Sequence, residues 1–126
     1  MKATRSILVV DDDRAMREML VDHLRDEGYE AVAAAGVTEA CVLLRSRAFA
    51  CVLSDVQMGR ESGFALVEEV KRSTAPVPVV LMSSFGSPDT AERARAAGAV
   101  AFLGKPFENG DLLQAIEACL VAPELD

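Results

Sequence analysis

Tryptophan is absent from this 126-residue chain and tyrosine occurs once, so a folded core must be built from aliphatic side chains. Hydrophobic residues make up 51% of the sequence, which argues against a disordered segment and gives one domain enough to bury. Cysteine is scarce. Cys41, Cys51 and Cys119 are odd in number, far apart, in no metal-ligand spacing and set in apolar patterns. They read as small buried hydrophobes of a reducing compartment, not as a disulfide or zinc scaffold. No apolar run approaches the ~18 residues of a membrane span. The basic start, Lys2 and Arg5, leads into too short an apolar stretch for a signal peptide. Positive charge is in deficit, 13 Lys and Arg against 20 Asp and Glu, for a net charge of −7. That disfavours bare affinity for nucleic acid or an anionic membrane and favours a cationic partner or a metal ion. There is no Gly-rich phosphate loop to cradle a nucleotide. The single histidine, His23, falls mid-helix with no nucleophile or metal partner in view and reads as a surface or flanking residue. The expectation is a soluble, cytoplasmic single domain over residues 1–126, with a core of about 6–121.

What is there alternates. The aliphatic run Ile7 to Val10 reads as a strand buried on both faces. Arg14 to Glu27 follows with Met16, Met19, Leu20, His23 and Leu24 at helical spacing, Asp13 as its cap and Gly28 as its stop. Tyr29 to Ala34 predicts a strand, Val37 to Arg47 a helix with Ala40, Cys41 and Leu44 inward, and Cys51 to Asp55 a third strand. Ser62 to Arg72 predicts the third helix through Phe64, Val67 and Val70. Pro76 and Pro78 then lead into the strand Val79 to Met82. Ser87 as cap, Pro88 at the first helical position and Gly98 past the end punctuate a fourth helix. Val100 to Leu103 predicts the last strand. Leu112, Leu113, Ile116 and Leu120 stripe a final helix capped by Asn109. Five β–α pairs in strict alternation predict an α/β fold, a parallel sheet with helices on both faces. The pattern alone leaves the strand order open.

In open sheets of this kind ligands bind beyond the carboxyl ends of the strands. Asp11 and Asp12 end the first strand, Asp55 the third, Ser83 and Ser84 the fourth, and Lys105 follows the fifth. If the first and third strands are neighbours, three carboxylates converge. Two like charges ~4 Å apart cost about 4 kcal/mol at an effective dielectric of ~20. Three must therefore take up a proton or recruit a cation. Oxygen-only ligands suit Mg²⁺. Lys105 supplies a point charge for an anion and Ser83 a hydroxyl donor. A metal, a lysine, a hydroxyl and a spare carboxylate make a phosphoryl-transfer set, with Asp55 as the nucleophile.

The segments "ILVVDDD", "VLSDVQM", "SGFALVEEVK", "VVLMSSFGS" and "AFLGKPF", in order over essentially the whole chain, resemble the receiver domain of bacterial two-component response regulators. The resemblance implies the flavodoxin-like sheet order 2-1-3-4-5. It implies Asp55 as phosphoacceptor, with Mg²⁺ held by Asp12, Asp55 and the backbone carbonyl of Gln57, and by Asp11 through a water. Ser83 then matches the switch hydroxyl, Phe102 the switch aromatic and Lys105 the phosphate-binding lysine, with a cis bond before Pro106. The donor is a sensor histidine kinase or phosphotransfer protein. The response is a changed surface of the fourth helix, fifth strand and fifth helix, through which a homodimer can form. Beyond this exchange no enzyme activity is implied. Gly59 stands where the family usually has proline, which implies a looser loop. Ser84 replaces a smaller residue, and Gln57 occupies a position that tunes attack by water on the acyl phosphate.

Two other readings compete. Asp11-Asp12-Asp13 contains a D-x-D that looks like the nucleophile motif of haloacid-dehalogenase-type phosphatases, with Asp11 as nucleophile. The further acidic motif such enzymes need at the end of a fourth strand is missing, since Glu108 and Asp111, the acids that come next after Lys105, lie in or near a helix start. A non-phosphorylated docking module is the second alternative. "DDDRAMREML" and "SFGS" lean towards receivers of enhancer-binding, nitrogen-regulatory transcription activators. Any effector is then expected C-terminal to this chain, and direct nucleic-acid binding by this domain is not expected.

Overall fold

The computed structural model describes residues 5–73, 76–84 and 88–120. Strand β1 (Ser6–Val10) is wholly buried, as its unbroken aliphatic run requires. Helix α1 (Arg14–Asp26) follows, and the Asp13 carboxylate accepts from the backbone N–H groups of Ala15 and Met16. Gly28, at φ +96°, turns the chain into β2 (Glu30–Ala34). Next come α2 (Val37–Ser46) and β3 (Cys51–Asp55), the latter buried throughout. Two short strands, β4 (Gln57–Met58) and β5 (Glu61–Ser62), pair antiparallel before α3 (Gly63–Lys71). The chain then runs through β6 (Val79–Ser83), α4 (Pro88–Ala97), β7 (Ala101–Gly104) and α5 (Asn109–Leu120).

The main sheet is parallel, with the order β2-β1-β3-β6-β7, which is 2-1-3-4-5 once the small hairpin is set aside. Successive strand residues point to opposite faces. Ile7, Val9, Leu53 and Met82 therefore pack with Leu20 and Leu24 of α1 and with Leu112 and Ile116 of α5. Leu8, Val10, Val52 and Leu81 pack on the other face with Ala40 of α2, Leu66 and Val67 of α3 and Ala94 of α4. Both faces are covered, which is why the strands carry no polar alternation.

Several boundaries shift from the sequence expectation, each for a physical reason. Ser62 is not the first residue of α3 but its cap, with its hydroxyl accepting from Phe64 N–H. The last strand starts at Ala101, since Val100 is solvent-exposed. Asn109 is the first residue of α5 and not its cap. Glu108 holds the capping position: its carbonyl accepts from Leu112, and Asp111 reaches back to its N–H, the return half of a capping box. The inner stripe of α5 is Leu112, Ala115, Ile116 and Cys119, with Leu113 and Leu120 only half-buried. Ser87, expected to cap α4, lies outside the described residues. Among the described residues no helix is long and apolar enough to cross a membrane.

The Asp13 cap gives a first prediction. Asp13→Ala is expected to cost about 1 kcal/mol of stability in urea unfolding. An unchanged midpoint would show that the first turn of α1 is satisfied in some other way.

Candidate functional site

The sheet register builds the site. β1 and β3 are neighbours with Val10 opposite Ser54, so Asp11 emerges beside Asp55 at the carboxyl edge. Asp55 is opposite Met82 of β6, and Ser83 opposite Gly104 of β7. The Lys105 N–H then donates to the Ser83 carbonyl at 2.8 Å, and the Lys105–Pro106 bond is cis, as expected. From that position the Lys105 ammonium lies 3.0 Å from Asp11 Oδ2 and 3.0 Å from Asp55 Oδ2. Carboxylate oxygens of Asp11, Asp12 and Asp55 all lie within 4.8 Å of one another. Four of the residues expected at the site are thus one cluster.

They are not equivalent within it. Asp11 is fully buried, with Oδ1 accepting from Asp13 N–H at 2.9 Å and Oδ2 from Lys105. Its backbone carbonyl also accepts from Arg17 of α1 at 2.9 Å, a contact the sequence did not signal. Asp12 is exposed, and Asp55 keeps 9% of its surface open. Burial pushes the Asp11 carboxyl above its ordinary value, although the bonds from Asp13 and Lys105 pull the other way. Burial would also lower Lys105, but its bonds to Asp55 and Asp11 outweigh that and raise it, so the ammonium persists. The donor set is all oxygen and exceeds in negative charge the single lysine that faces it, which fits a hard divalent cation such as Mg²⁺.

The segment after Asp55 folds back on itself. Gln57 is exposed, and its N–H donates to Asp55 Oδ1 at 3.3 Å. Beyond Gln57 the chain forms the β4–β5 hairpin, whose turn is Gly59–Arg60. Gly59 has φ +62° and, among the described residues, no non-glycine residue has a positive φ, the pattern of a type II′ turn. Proline, locked near −65°, cannot take that place. Glycine at this position thus meets the backbone requirement of the turn. A Cβ at Gly59 would stand 4.0 Å from Asp12 Oδ2, so the turn borders the acidic cluster. Gly63, just beyond, is pressed against the acceptor strand: a Cβ there would lie 2.3 Å from the Asp55 carbonyl oxygen.

Ser83 is 2% exposed at the end of β6, next to Lys105 through the backbone, while Ser84 is exposed. Phe102 is half-buried and packs with the α2–α3–α4 cluster, not with the carboxylates. His23 is half-buried between α1 and the start of α5, its Nδ1 without a partner, and takes no part in the acidic cluster. The cysteines are free, Cys51 and Cys119 buried and Cys41 half-buried. The neighbouring Cys119 thiol, together with burial, pushes the Cys51 thiol up, as befits a core position.

Comparison with known proteins bears on this geometry. Residues 7–117 match the family model described as the response regulator receiver domain. The chain is 40% identical over 114 residues to the transcriptional regulatory protein PdtaR of Mycobacterium tuberculosis, covering 90% of this chain and 55% of that protein. It is 39% identical over 110 residues to the response regulator protein FleR of Pseudomonas aeruginosa, covering 87% of this chain and 23% of that one. The chain thus spans about half, or less, of the length of these relatives. Among solved structures, the chemotaxis protein CheY4 of Vibrio cholerae superposes with a TM-score of 0.88 at 32% identity, covering 94% of this chain and all of that one. NtrX of Brucella abortus superposes equally well, TM-score 0.88 at 34% identity over 95% of this chain, but the match covers 28% of NtrX.

Proposed function

The chain belongs to the response regulator receiver domain family, and from that membership we propose that it is a phosphorylation-operated signalling switch with Asp55 as phosphoacceptor. The observation that carries the reading is the cluster itself. Asp55, Asp11 and Asp12 converge, Lys105 bridges two of them, and of the two carboxylates it holds only Asp55 opens to solvent. A sensor histidine kinase or phosphotransfer protein is the donor. An Asp55 oxygen attacks the phosphorus of a phosphohistidine, the O–P bond forms as the N–P bond breaks, and the imidazole leaves. Asp12, Asp55 and the Gln57 carbonyl would hold Mg²⁺, with Asp11 acting through a water. When bound, the ion offsets the charge of the carboxylates and of the phosphoryl oxygens.

Lys105 gives up its contact with Asp55 and pairs with the phosphoryl group, and Ser83 donates its hydroxyl to it. The modified side chain carries about −1.5 to −2 charges, if phosphoserine is a guide. Phe102 packs inward as the segment after β6 shifts, and the surface of α4, β7 and α5 changes with it. This is a population shift bounded by the contacts that the phosphate makes in one state and not in the other. The altered surface is where we place a homodimer. The output is transcriptional, a reading supported by the likeness to the transcriptional regulatory proteins PdtaR and ZraR, through a segment outside this domain. The lean towards the nitrogen-regulatory type rests on the likeness to NtrX. The domain itself contacts neither nucleic acid nor membrane and works in the cytoplasm. It is not an enzyme beyond its own phosphorylation and dephosphorylation.

The test is intact mass after incubation with acetyl phosphate, with and without Mg²⁺. One labile phosphoryl group that requires the ion is expected. Uptake that is indifferent to Mg²⁺, or none at all, contradicts the switch. No uptake together with no Mg²⁺ binding is the signature of a docking module.

A further inference from the structure

Helix α2 begins without a cap of its own. Its N-cap residue is Gly36, which has no side chain to accept from the free N–H groups of the first turn. Glu61, on the second strand of the hairpin, fills that role from 24 residues away. Its Oε1 accepts from Val37 N–H at 2.8 Å and its Oε2 from the Thr38 hydroxyl at 3.3 Å. A carboxylate at this place is favoured both by the unpaired donors and by the positive end of the helix dipole. Room for it exists only because residue 36 is glycine: a Cβ there would lie 2.3 Å from Glu61 Oε1. The backbone of Gly36 is extended, at φ −171°, a conformation open to any residue, so the glycine serves space and not torsion.

The same hairpin has two other holds on the rest of the site. At one end Gln57 N–H donates to Asp55 Oδ1, and Met58 is buried in the core. At the other end Ser62 caps α3. Between them only the Gly59–Arg60 turn and Glu61 remain, and Glu61 ties this tip to α2, beside Asp12. We infer that Glu61 is a positioning residue: by capping α2 across the gap it clamps the hairpin that presents the Gln57 carbonyl, and so sets the affinity of the acidic cluster for Mg²⁺. This rests on the reading of Asp12, Asp55 and the Gln57 carbonyl as the ion's ligands. Residues that hold a ligand in place typically change metal affinity about 10–100-fold when removed.

The experiment separates a clamp from a mere helix cap. Mg²⁺ binding by calorimetry, amide exchange across residues 57–62 and melting temperature are measured on wild type, Glu61→Ala, Gly36→Ala and the double variant Gly36→Ser/Glu61→Ala. The two single variants are expected to bind Mg²⁺ roughly tenfold more weakly than wild type and to exchange faster over 57–62. Gly36→Ala does so with Glu61 still present, because its methyl group expels the carboxylate. In the double variant a serine at the N-cap restores the cap of α2 but not the tie to the hairpin. The melting temperature is expected to recover while Mg²⁺ affinity stays low. Recovery of affinity along with the melting temperature would overturn the inference, as would a Glu61→Ala protein that is folded and binds like wild type. A wild type that binds no Mg²⁺ overturns the reading of the ligands and this inference with it.

Discussion

Gly63→Ala is expected to destabilise the domain by about 3 kcal/mol, the upper part of the usual range for overpacking. The added Cβ would lie 2.3 Å from the Asp55 carbonyl oxygen, 3.1 Å from the Asp55 carbonyl carbon and 3.0 Å from Leu81 Cδ2. The first two are backbone atoms of a central strand buried along its whole length and cannot swing aside as a side chain tip would. Gly63 N–H is also bonded to the Val56 carbonyl at 2.8 Å, which fixes α3 against the end of β3. Relief must come from moving α3 or from moving Asp55. The substitution is therefore expected to slow phosphoryl uptake as well, since a misplacement of about 1 Å at a reacting group can cost about a hundredfold. Urea unfolding and the rate of labelling from acetyl phosphate read the two effects. A variant with the wild-type midpoint and wild-type rate would show that the contact relaxes at no cost.

Lys105→Met is expected to lower stability at pH 7, without Mg²⁺, by roughly 3 kcal/mol, the low end for removing one partner of a buried ion pair, because this pair opens to solvent on one side. The lysine is the cation for both Asp11 and Asp55, and its loss leaves three carboxylate side chains facing one another. The pH dependence has a defined sign. Burial raises the Asp11 carboxyl above the ordinary value of 3.8 even in the wild type. The stability linked to its proton is complete below the ordinary value and lost as pH rises through the raised one. Lys105 is one of the groups that pull the Asp11 carboxyl down, so without it that carboxyl rises further and the deficit of the variant should shrink as pH falls towards the acid range. In the wild type Lys105, held above its ordinary 10.5, contributes stability that is complete below that value. This is lost only as pH rises through the raised value. Added Mg²⁺ should recover part of the deficit by supplying the missing positive charge. A deficit that persists unchanged at low pH and at high Mg²⁺ would mean that packing of the lysine stem, not its charge, is what the site needs.

The layered α/β fold was legible in the sequence because its strands are buried on both faces, so aliphatic runs such as Ile7 to Val10 and Cys51 to Leu53 stand out without alternation. Their carboxyl ends were legible for the complementary reason: an aspartate closing such a run violates the pattern, and the violation marked Asp11 and Asp55. The β4–β5 hairpin was not. Two residues per strand carry no period, and Gly59 looked like a loss of rigidity until its positive φ gave it a role. Glu61 is exposed, and nothing local distinguishes it from the other surface acids. Its partners are far along the chain. The α5 stripe was legible at Leu112 and Ile116, and Leu120 packs half-buried against the same core, but hydrophobicity pointed to Leu113 where the tightly packed face takes the smaller Ala115 and Cys119. Nor does spacing reveal that Asp11 is buried while its neighbour Asp12 faces solvent.

The central claim is that the acyl phosphate forms on Asp55. After labelling with acetyl phosphate and Mg²⁺, borohydride reduces an aspartyl phosphate to homoserine, and peptide sequencing by mass spectrometry locates it. Homoserine at position 55, and none in Asp55→Ala, is the predicted result. Homoserine at position 11, retained in Asp55→Ala, would contradict the account and favour a phosphatase-type nucleophile on the first strand.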